Sequence, residues 1–277
     1  MMLRTSRTRT LLRYAVMTVC AAALIGPFVW MVLASLKTDA DIKTLPPSVL
    51  PNPITGDNYS RVLDAFPFWR FARNSVLVAV ASTLLQVATG SSAGYAFARI
   101  QFRGRSFLFA LYLATMMIPL QVIIVPLFIE MRNVHLVDTF AGLLLPTIVS
   151  SFGVFLMRQA FAALPTELEE AAFIDGAGHF RVFARIMLPL VGPALATFAV
   201  FAFMATWNSF LWPLVITQAS DRHVTLPVGL SRLNGRFSTD WNVVMAGAVM
   251  SIVPIVAFYL LTQRWVIRSV ASTGLKG

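Results

Sequence analysis

Charged residues along this chain alternate with long uncharged, apolar stretches. All 34 Lys, Arg, Asp and Glu residues fall into seven clusters, and six apolar stretches lie between them. The shortest stretch holds 19 residues, and a helix needs about 20 residues to cross a bilayer. We therefore predict six membrane-spanning helices, within the intervals Arg13–Lys37, Arg73–Arg99, Arg105–Glu130, Asp138–Arg158, Arg185–Asp221 and Asp240–Arg264.

The composition agrees with this pattern. The 277 residues are 57% hydrophobic and 12% charged, with a mean hydropathy of +0.74, whereas soluble domains carry about 25% charged residues. The first apolar run has 23 residues and exceeds the roughly 7–15 of a signal-peptide core, so we interpret it as an uncleaved first helix. The single cysteine, Cys20, can form neither an intrachain disulfide nor a cysteine-based metal site.

The distribution of Lys and Arg predicts which segments face the cytoplasm. Six spans put both termini on one side, and placing them inside gives 13 Lys and Arg residues inside against nine outside. The short loop 99–105, with three arginines, fits the positive-inside rule best, whereas Arg70 and Arg73 oppose it. The expected boundaries are a cytoplasmic N-terminal segment 1–13, a transmembrane domain 14–263 and a cytoplasmic tail 264–277.

The net charge of +10 does not require a nucleic-acid partner. Most of the excess lies in the predicted inside segments, where anionic membrane lipid accounts for it. A nucleic-acid-binding protein would instead carry a basic face on a soluble domain, and the pattern predicts no such domain.

No predicted span carries an Asp, Glu, Lys, Arg or His near its centre. Ion-coupled carriers usually keep such residues as relays, so their absence argues against a secondary carrier without excluding one that uses backbone and hydroxyl ligands. Prolines occur in every span except the second: Pro27, Pro119, Pro126, Pro146, Pro213 and Pro254. They are either ordinary features of transmembrane helices or kinks around a pathway. Gly90 and Gly94 in the second span are expected to permit close helix packing.

Polar residues within the spans are the candidate lining of a substrate pathway. They are Gln86, Gln121 and Asn208. On the predicted fifth helix, Asn208 and Trp212 are four residues apart and so share a face, and an amide beside an aromatic ring suits a sugar. Trp207 and Trp212 also lie near the outer end of that helix, and an interfacial aromatic belt is the favoured interpretation for them.

The segment between the fourth and fifth spans predicts a short helix that projects from the membrane. Thr166 and Glu169 fit a capping box at its start, and Gly176 and Gly178 are expected to stop it, because glycine adopts the left-handed turn of a helix end. A second helical stretch follows from about Phe180, with Pro189 near the start of the fifth span. One face of the first helix would be formed by Leu168, Ala171, Ala172 and Asp175.

This loop is too small to bury all of its apolar side chains. We expect exposure of Phe173, Ile174, Phe180 and Phe183. A protruding loop with exposed apolar groups is typical of a docking surface for a soluble partner. The alternative is a helix that lies on the membrane, but the three acids Glu167, Glu169 and Glu170 oppose contact with an anionic inner leaflet. Docking is the favoured interpretation.

The same loop resembles the EAA loop of ABC importer permeases. Seven positions match its pattern: Glu170, Ala171, Ala172, Gly176, Ile186, Leu188 and Pro189. The adjoining Asp175-Gly176-Ala177, Phe183 and Pro193 resemble the carbohydrate branch, the family of the second permease subunit of the maltose importer. Shorter matches to that branch extend along nearly the whole chain: Ser35-Leu36-Lys37, Pro67-Phe68-Trp69, Asn74-Ser75, Trp207-Asn208, Trp212-Pro213 and Gly274-Leu275-Lys276-Gly277.

The resemblance implies an all-α integral membrane permease of six helices, residues 14–263 with a coupling loop at 158–189, in a bacterial cytoplasmic membrane. It implies a second homologous permease, a dimer of cytoplasmic ATPase subunits that carry ATP and magnesium, and an extracytoplasmic substrate-binding protein. The tail near Lys276 would reach the ATPase pair. The residues that couple to the ATPase would be Glu170, Ala171, Ala172, Asp175, Gly176, Ala177, Ile186 and Pro189.

The chain lacks the residues for chemistry of its own. It contains no Gly-x-x-x-x-Gly-Lys-Ser/Thr loop for ATP phosphates, so it should not hydrolyse ATP alone. The histidines His135, His179 and His223 lie in predicted loops and suggest no catalytic or metal site. Import of a di- or oligosaccharide is the preferred function. Import of glycerol phosphate or another non-sugar solute, and an ATP-independent carrier, are the alternatives.

Overall fold

The computed structural model describes residues 7–233 and 239–273, with side chains described for 10–233 and 239–263. Lys276, predicted to contact an ATPase, lies outside the described residues. Every regular element in the described ranges is a helix, which confirms the predicted all-α class. The chain divides into two compact units, one of Met1–Phe68 with Leu230–Val253 and one of Trp69–Gly229 with Pro254–Gly277.

The first unit contains the helices α1 (Arg7–Ser35) and α2 (Asp57–Ala65). Polar groups hold the loop between them together. Lys37 Nζ donates to Ser48 Oγ at 2.7 Å, and Ser48 Oγ donates to Asp41 Oδ1 at 2.6 Å. The hydrogen bond from Ser48 lowers the pKa of Asp41. Lys37 lies just after the end of α1 and is 2% exposed. Its hydrogen bond to Ser48 therefore connects the loop to the end of α1.

The second unit contains most of the remaining helices. Their bounds are α3 Phe68–Arg99, α4 Arg105–Ala114, α5 Leu120–Asn133, α6 Phe140–Leu144, α7 Ser151–Ala162, α8 Glu167–Ile174, α9 His179–Val182, α10 Leu188–Leu190, α11 Gly192–Trp207, α12 Leu211–Ile216, α13 Leu226–Ser231 and α14 Trp241–Thr273. A π-helical segment, Phe183–Met187, joins α9 to α10. The unit boundaries divide α3 after Phe68, α13 after Gly229 and α14 after Val253.

Three glycines let α3, α7 and α11 pack closely. A Cβ atom at Gly90 would lie 2.7 Å from Cε1 of Phe198, and one at Gly153 would lie 1.9 Å from Cζ of the same ring. At Gly94 a Cβ atom would lie 2.7 Å from Cβ of Met157. Phe198 and Met157 are buried in one apolar core. The packing role predicted for Gly90 and Gly94 is therefore confirmed.

Gly153→Ala is expected to lower the free energy of unfolding by about 1–3 kcal/mol, because an added methyl group in a close-packed core forces neighbours out of position. The measurement is the melting temperature of the detergent-purified protein. Gly26→Ala is the matched control, since nothing lies within 4 Å of a Cβ atom at that position. Equal melting temperatures for the two variants would contradict the packing described.

Three described helices are long and apolar enough to cross a membrane: Thr10–Ser35, Phe68–Arg99 and Trp241–Gln263. Three bent pairs also qualify by length and composition. They are Arg105–Met117 with Leu120–Asn133 (99°), Phe140–Thr147 with Ser151–Ala162 (47°), and His179–Leu190 with Gly192–Trp207 (81°). Each helix or pair overlaps one predicted apolar interval. The described chain reaches the predicted six crossings when each bent pair is one crossing.

Two of the six prolines in the predicted spans lie at bends between helices, and four lie inside helices. Pro119 is the N-cap of α5, at the 99° bend, and Pro146 lies in the 3₁₀ turn that precedes the 47° bend. These two support the interpretation of prolines as kinks. The others lie within helices: Pro27 in α1, Pro126 in α5, Pro213 in α12 and Pro254 in α14.

Candidate functional site: the loop from α7 to α11

The helix α8 ends in a turn that favours glycine. Gly176 has a φ of +78°; its N–H donates to the carbonyl of Phe173 at 3.0 Å, and the N–H of Ala177 donates to the carbonyl of Ala172 at 2.9 Å. These two bonds are those of a Schellman motif, which confirms the predicted helix end at Gly176. The stopping role predicted for Gly178 is wrong, because its φ is −77° and it is the N-cap of α9.

The start of α8 differs from the predicted capping box. Thr166 already has helical angles, φ −71° and ψ −28°, and its side chain caps nothing. Its carbonyl accepts hydrogen bonds from the N–H groups of Glu169 and Glu170 at 3.0 and 3.1 Å. The capping-box prediction is therefore wrong. The reason is that the carboxylate of Glu169 bonds to another helix instead of turning back to Thr166.

Glu169 forms a buried polar contact with the last turns of α3. Its Oε1 accepts a hydrogen bond from Tyr95 Oη at 3.0 Å, and its Oε2 lies 3.4 Å from Nε of Arg99. The two charged side chains are only 10% and 8% exposed. Removing a charge from water is unfavourable unless it is paired, so the two groups depend on each other. We call Tyr95, Arg99 and Glu169 the α3–α8 latch.

Arg99 extends the latch to the end of α7. Its guanidinium donates to the carbonyl of Phe161 at 2.8 Å and also to that of Leu164. These carbonyls lie at or beyond the last turn of α7. One side chain therefore joins the ends of α3 and α7 to α8. A displacement of α8 must move both of those helix ends or break the latch.

Sequence reasoning missed this latch. The sequence indicated Arg99 only as a charge that sets orientation, and Glu169 only as part of a capping box and as one of three acids that oppose contact with anionic lipid. A buried cation at the end of an apolar run needs a partner, and that signal was available for Arg99. The position of Tyr95, whose ring packs edge-on against Phe161 with centroids 5.5 Å apart, depends on tertiary packing and has no local signal.

The buried face of α8 consists of Glu169 and Ala172, 7% exposed each. Of the predicted helix face, only Ala172 is buried, and Leu168, Ala171 and Asp175 are exposed. The latch rotates Glu169 inward, which places these three away from the core. The predicted exposure of Phe173 (40%), Ile174 (86%) and Phe180 (81%) is confirmed. Phe183 is half-buried against Tyr95, with ring centroids 5.1 Å apart, so its predicted exposure is wrong.

The predicted coupling residues divide by exposure. Ala172 is buried, and Ala177 and Ile186 pack against the same apolar core. These three position the loop from within. The exposed ones are Glu170, Ala171, Asp175, Gly176 and Pro189. Pro189 belongs to α10. The other four, together with Phe173, Ile174 and Phe180, form the exposed surface of α8, of the turn after it and of the start of α9, which we call the α8 surface.

The predicted pathway residues do not form one site. Gln86 and Trp212 line a cavity of about 160 Å³, whereas Gln121 is exposed. Asn208 is also exposed, and its amide donates to the carbonyl of Met204 at 2.9 Å. Asn208 and Trp212 do not share a helix face, because α11 ends at Trp207 and α12 begins at Leu211.

The aromatic-belt interpretation of the two tryptophans is also wrong. Trp207 is 2% exposed and Trp212 is 3% exposed. Trp212 Nε1 donates to the carbonyl of Gly142 at 3.1 Å, so the ring is held inside the second unit. A belt residue would present its ring to the headgroup region.

Comparison with known proteins identifies the family of this chain. Residues 86–272 match the family described as binding-protein-dependent transport system inner membrane component. A permease protein of an arabinooligosaccharide transport system from Halalkalibacterium halodurans is 37% identical over 91% of this chain and 91% of its own length. A lactose transport system permease protein from Rhizobium radiobacter is 32% identical over 95% of this chain and 96% of its own.

A further relative is named for a different solute, and a solved structure shows the same fold. An sn-glycerol-3-phosphate transport system permease protein from Yersinia enterocolitica is 35% identical over 89% of this chain and 90% of its own length. The crystal structure of a bacterial ABC transporter involved in the import of the acidic polysaccharide alginate contains a chain with a TM-score of 0.81 and 25% identity, covering 95% of this chain and 98% of that one. From the family match and these relatives we conclude that the chain belongs to the binding-protein-dependent transport system inner membrane component family and is a permease subunit of an ABC-type importer.

Proposed function

We propose that this subunit forms half of the translocation pathway of an ATP-driven importer of di- or oligosaccharides and is moved by a cytoplasmic ATPase through α8. The observation that carries the proposal is the two-sided character of α8. Its inner side is held by the α3–α8 latch, and its outer side exposes Phe173 and Ile174. A helix held firmly inside and apolar outside suits transmission of a push from a docked partner.

The exposed apolar groups on the α8 surface favour a protein partner over lipid. Glu167 and Glu170 are exposed on the same short helix, and acidic side chains oppose contact with an anionic leaflet. The remaining coupling partners follow from the resemblance: a homologous second permease, a dimeric ATPase that holds ATP and magnesium, and a substrate-binding protein. The tail near Lys276 is the further contact we assign to the ATPase.

The proposed orientation places both termini and the α8 surface in the cytoplasm of a bacterial cell, with six crossings of the inner membrane. The excess of Lys and Arg in segments 1–13, 99–105, 158–185 and 264–277 supports it. Counting each bent helix pair as one crossing gives the even number of spans that this arrangement needs.

A sugar substrate is supported by the names of the relatives that import arabinooligosaccharides and lactose. The relative named for glycerol phosphate, 35% identical, keeps a phosphorylated solute as the second candidate. Both candidates use the same coupling loop.

The test is purification through an affinity tag on this subunit from its native host. We expect co-purification of a second permease and an ATPase, and ATP hydrolysis stimulated by a binding protein loaded with arabinotriose or lactose. Recovery of the chain as a lone transporter that works without ATP would contradict the proposal. Stimulation by glycerol phosphate but by neither sugar would select the second candidate.

A further inference from the structure

The loop between α1 and α2 contains an apolar run that the fold leaves exposed. We call residues 44–56, which carry no charged side chain, the apolar loop. Four of its side chains are exposed: Leu45 (91%), Val49 (63%), Leu50 (68%) and Ile54 (72%). Single exposed apolar side chains are ordinary, whereas several in one short segment indicate a surface that contacts an apolar partner.

Hydrogen bonds hold the apolar loop against the end of α1. The N–H of Thr55 donates to the carbonyl of Leu36 at 2.9 Å, and the N–H of Asn52 donates to Asp41 Oδ2 at 3.1 Å. Four prolines in the loop restrict its backbone further, because each fixes φ at about −65°. The apolar side chains are therefore exposed by a defined backbone that is bonded to the end of the helix.

Two tryptophans mark the depth at which α1 ends. The helix Thr10–Ser35 is long and apolar enough to cross a membrane, and 0% of its most apolar stretch is buried within the described chain. Trp30 on this helix and Trp241 at the start of α14 are 44% and 56% exposed, and amphipathic indole rings favour the headgroup layer. Trp30 precedes Ser35 by about 7.5 Å at roughly 1.5 Å per residue. The apolar loop therefore begins at the headgroup layer.

A cavity of about 230 Å³ connects the apolar loop to these two rings. Pro47 of the loop lines it together with Trp30 and Trp241. Lys37 also lines it, but its ammonium already donates to the carbonyl and the hydroxyl of Ser48 and lies 5.3 Å from the ring centroid of Trp30. The cavity therefore suits the uncharged glycerol and upper acyl region of a phospholipid, and it does not need an anionic headgroup.

The composition of the apolar loop favours lipid over a protein partner. Hot spots of protein interfaces are enriched in Trp, Tyr and Arg, and residues 44–56 contain none of the three. They also carry no charge that would orient a soluble partner. Aliphatic side chains beside a membrane-spanning helix are instead stabilised by leaving water for the adjacent bilayer.

We propose that the apolar loop lies in the headgroup layer of the bilayer and contacts phospholipid through Leu45, Val49, Leu50 and Ile54. This contact fixes the depth of the end of α1, to which the loop is hydrogen-bonded. In the proposed orientation the loop lies in the outer leaflet. The inference goes beyond the proposed function, which assigns this loop no role, and it holds for neutral and anionic phospholipids alike.

The test attaches an environment-sensitive nitrobenzoxadiazole dye to Leu50→Cys in a Cys20→Ser background, with the chain in its purified complex in phosphatidylcholine nanodiscs. Asp64→Cys is the matched control, because Asp64 is exposed on α2 of the same unit. At position 50 we expect a blue-shifted emission, stronger quenching by lipids brominated near the glycerol end of the acyl chain, and weaker quenching by aqueous iodide than at position 64. Addition of phosphatidylglycerol should leave these results unchanged.

Leu45→Asp with Ile54→Asp places two charges in the apolar loop and should remove the blue shift and the lipid quenching at position 50. Val49→Cys is a second reporter, read in parallel, and recovery of the complex shows that each variant folds. The proposal is overturned if iodide quenches position 50 as strongly as position 64, which would place the loop in water. It is equally overturned if neither quencher reaches position 50, which would place a protein subunit over the loop.

Discussion

Arg99→Met is expected to abolish ATP-driven uptake and to destabilise the segment from α7 to α9 by about 3–5 kcal/mol, the usual effect of leaving a buried charge without its partner. The variant strands the carboxylate of Glu169, whose side chain is 10% exposed. It also removes the donors to the carbonyls of Phe161 and Leu164. The measurements are uptake of radiolabelled sugar and hydrogen exchange of residues 158–190.

A double variant separates the unpaired charge from lost packing. Arg99→Met with Glu169→Leu should be more stable than Arg99→Met alone, since no buried charge remains unpaired. Glu167→Gln changes an exposed acid of the same helix and should leave both measurements unchanged. Wild-type uptake and hydrogen exchange in Arg99→Met would show that the latch neither stabilises α8 nor transmits its movement.

Gly176→Pro is expected to eliminate transport while the membrane helices remain folded. Proline fixes φ near −65° and lacks an N–H, whereas Gly176 has a φ of +78° and donates to the carbonyl of Phe173. The Schellman turn must therefore open, and the α8 surface loses its shape. Nothing lies within 4 Å of a Cβ atom at this position, so the damage stays local. Uptake and the helical circular dichroism signal are the two measurements.

Gly176→Ala is the matched comparison for this variant. It should retain part of the transport, because a left-handed conformation costs a non-glycine residue only about 1–2 kcal/mol. Glu170→Lys, which reverses one exposed charge of the α8 surface, should lose transport with its fold intact. Normal transport in both Gly176→Pro and Glu170→Lys would mean that this loop does not couple the permease to an ATPase.

The spans and the loop could be predicted because their signals are local. Uninterrupted apolar runs between charges mark the helices, and Gly176 marks the end of α8 through its own backbone preference. The bends were not predictable in the same way. Pro119 indicates a possible break, yet the 99° change of direction there depends on which neighbours pack against each half.

The buried contacts of the pathway residues and of the loop could not be predicted from local sequence, because they depend on tertiary structure. Helical spacing predicted that Asn208 lies beside Trp212. The helix is interrupted between α11 and α12, however, and Trp212 donates a hydrogen bond to the carbonyl of Gly142 instead. Similarly, Thr166 and Glu169 have capping-box spacing, but Arg99 and Tyr95 offer Glu169 a buried partner on α3. In both cases a contact distant in sequence replaced the local one that the pattern favoured.

Docking of a soluble ATPase on α8 is tested most directly by site-specific photocrosslinking. A benzophenone amino acid at Ile174, 86% exposed, is compared with one at Leu24, 73% exposed on α1. We predict a crosslink from position 174 to the ATPase subunit, with a yield that changes on ATP binding, and none from position 24. Crosslinks from position 174 to lipid alone, with or without ATP, would contradict the account.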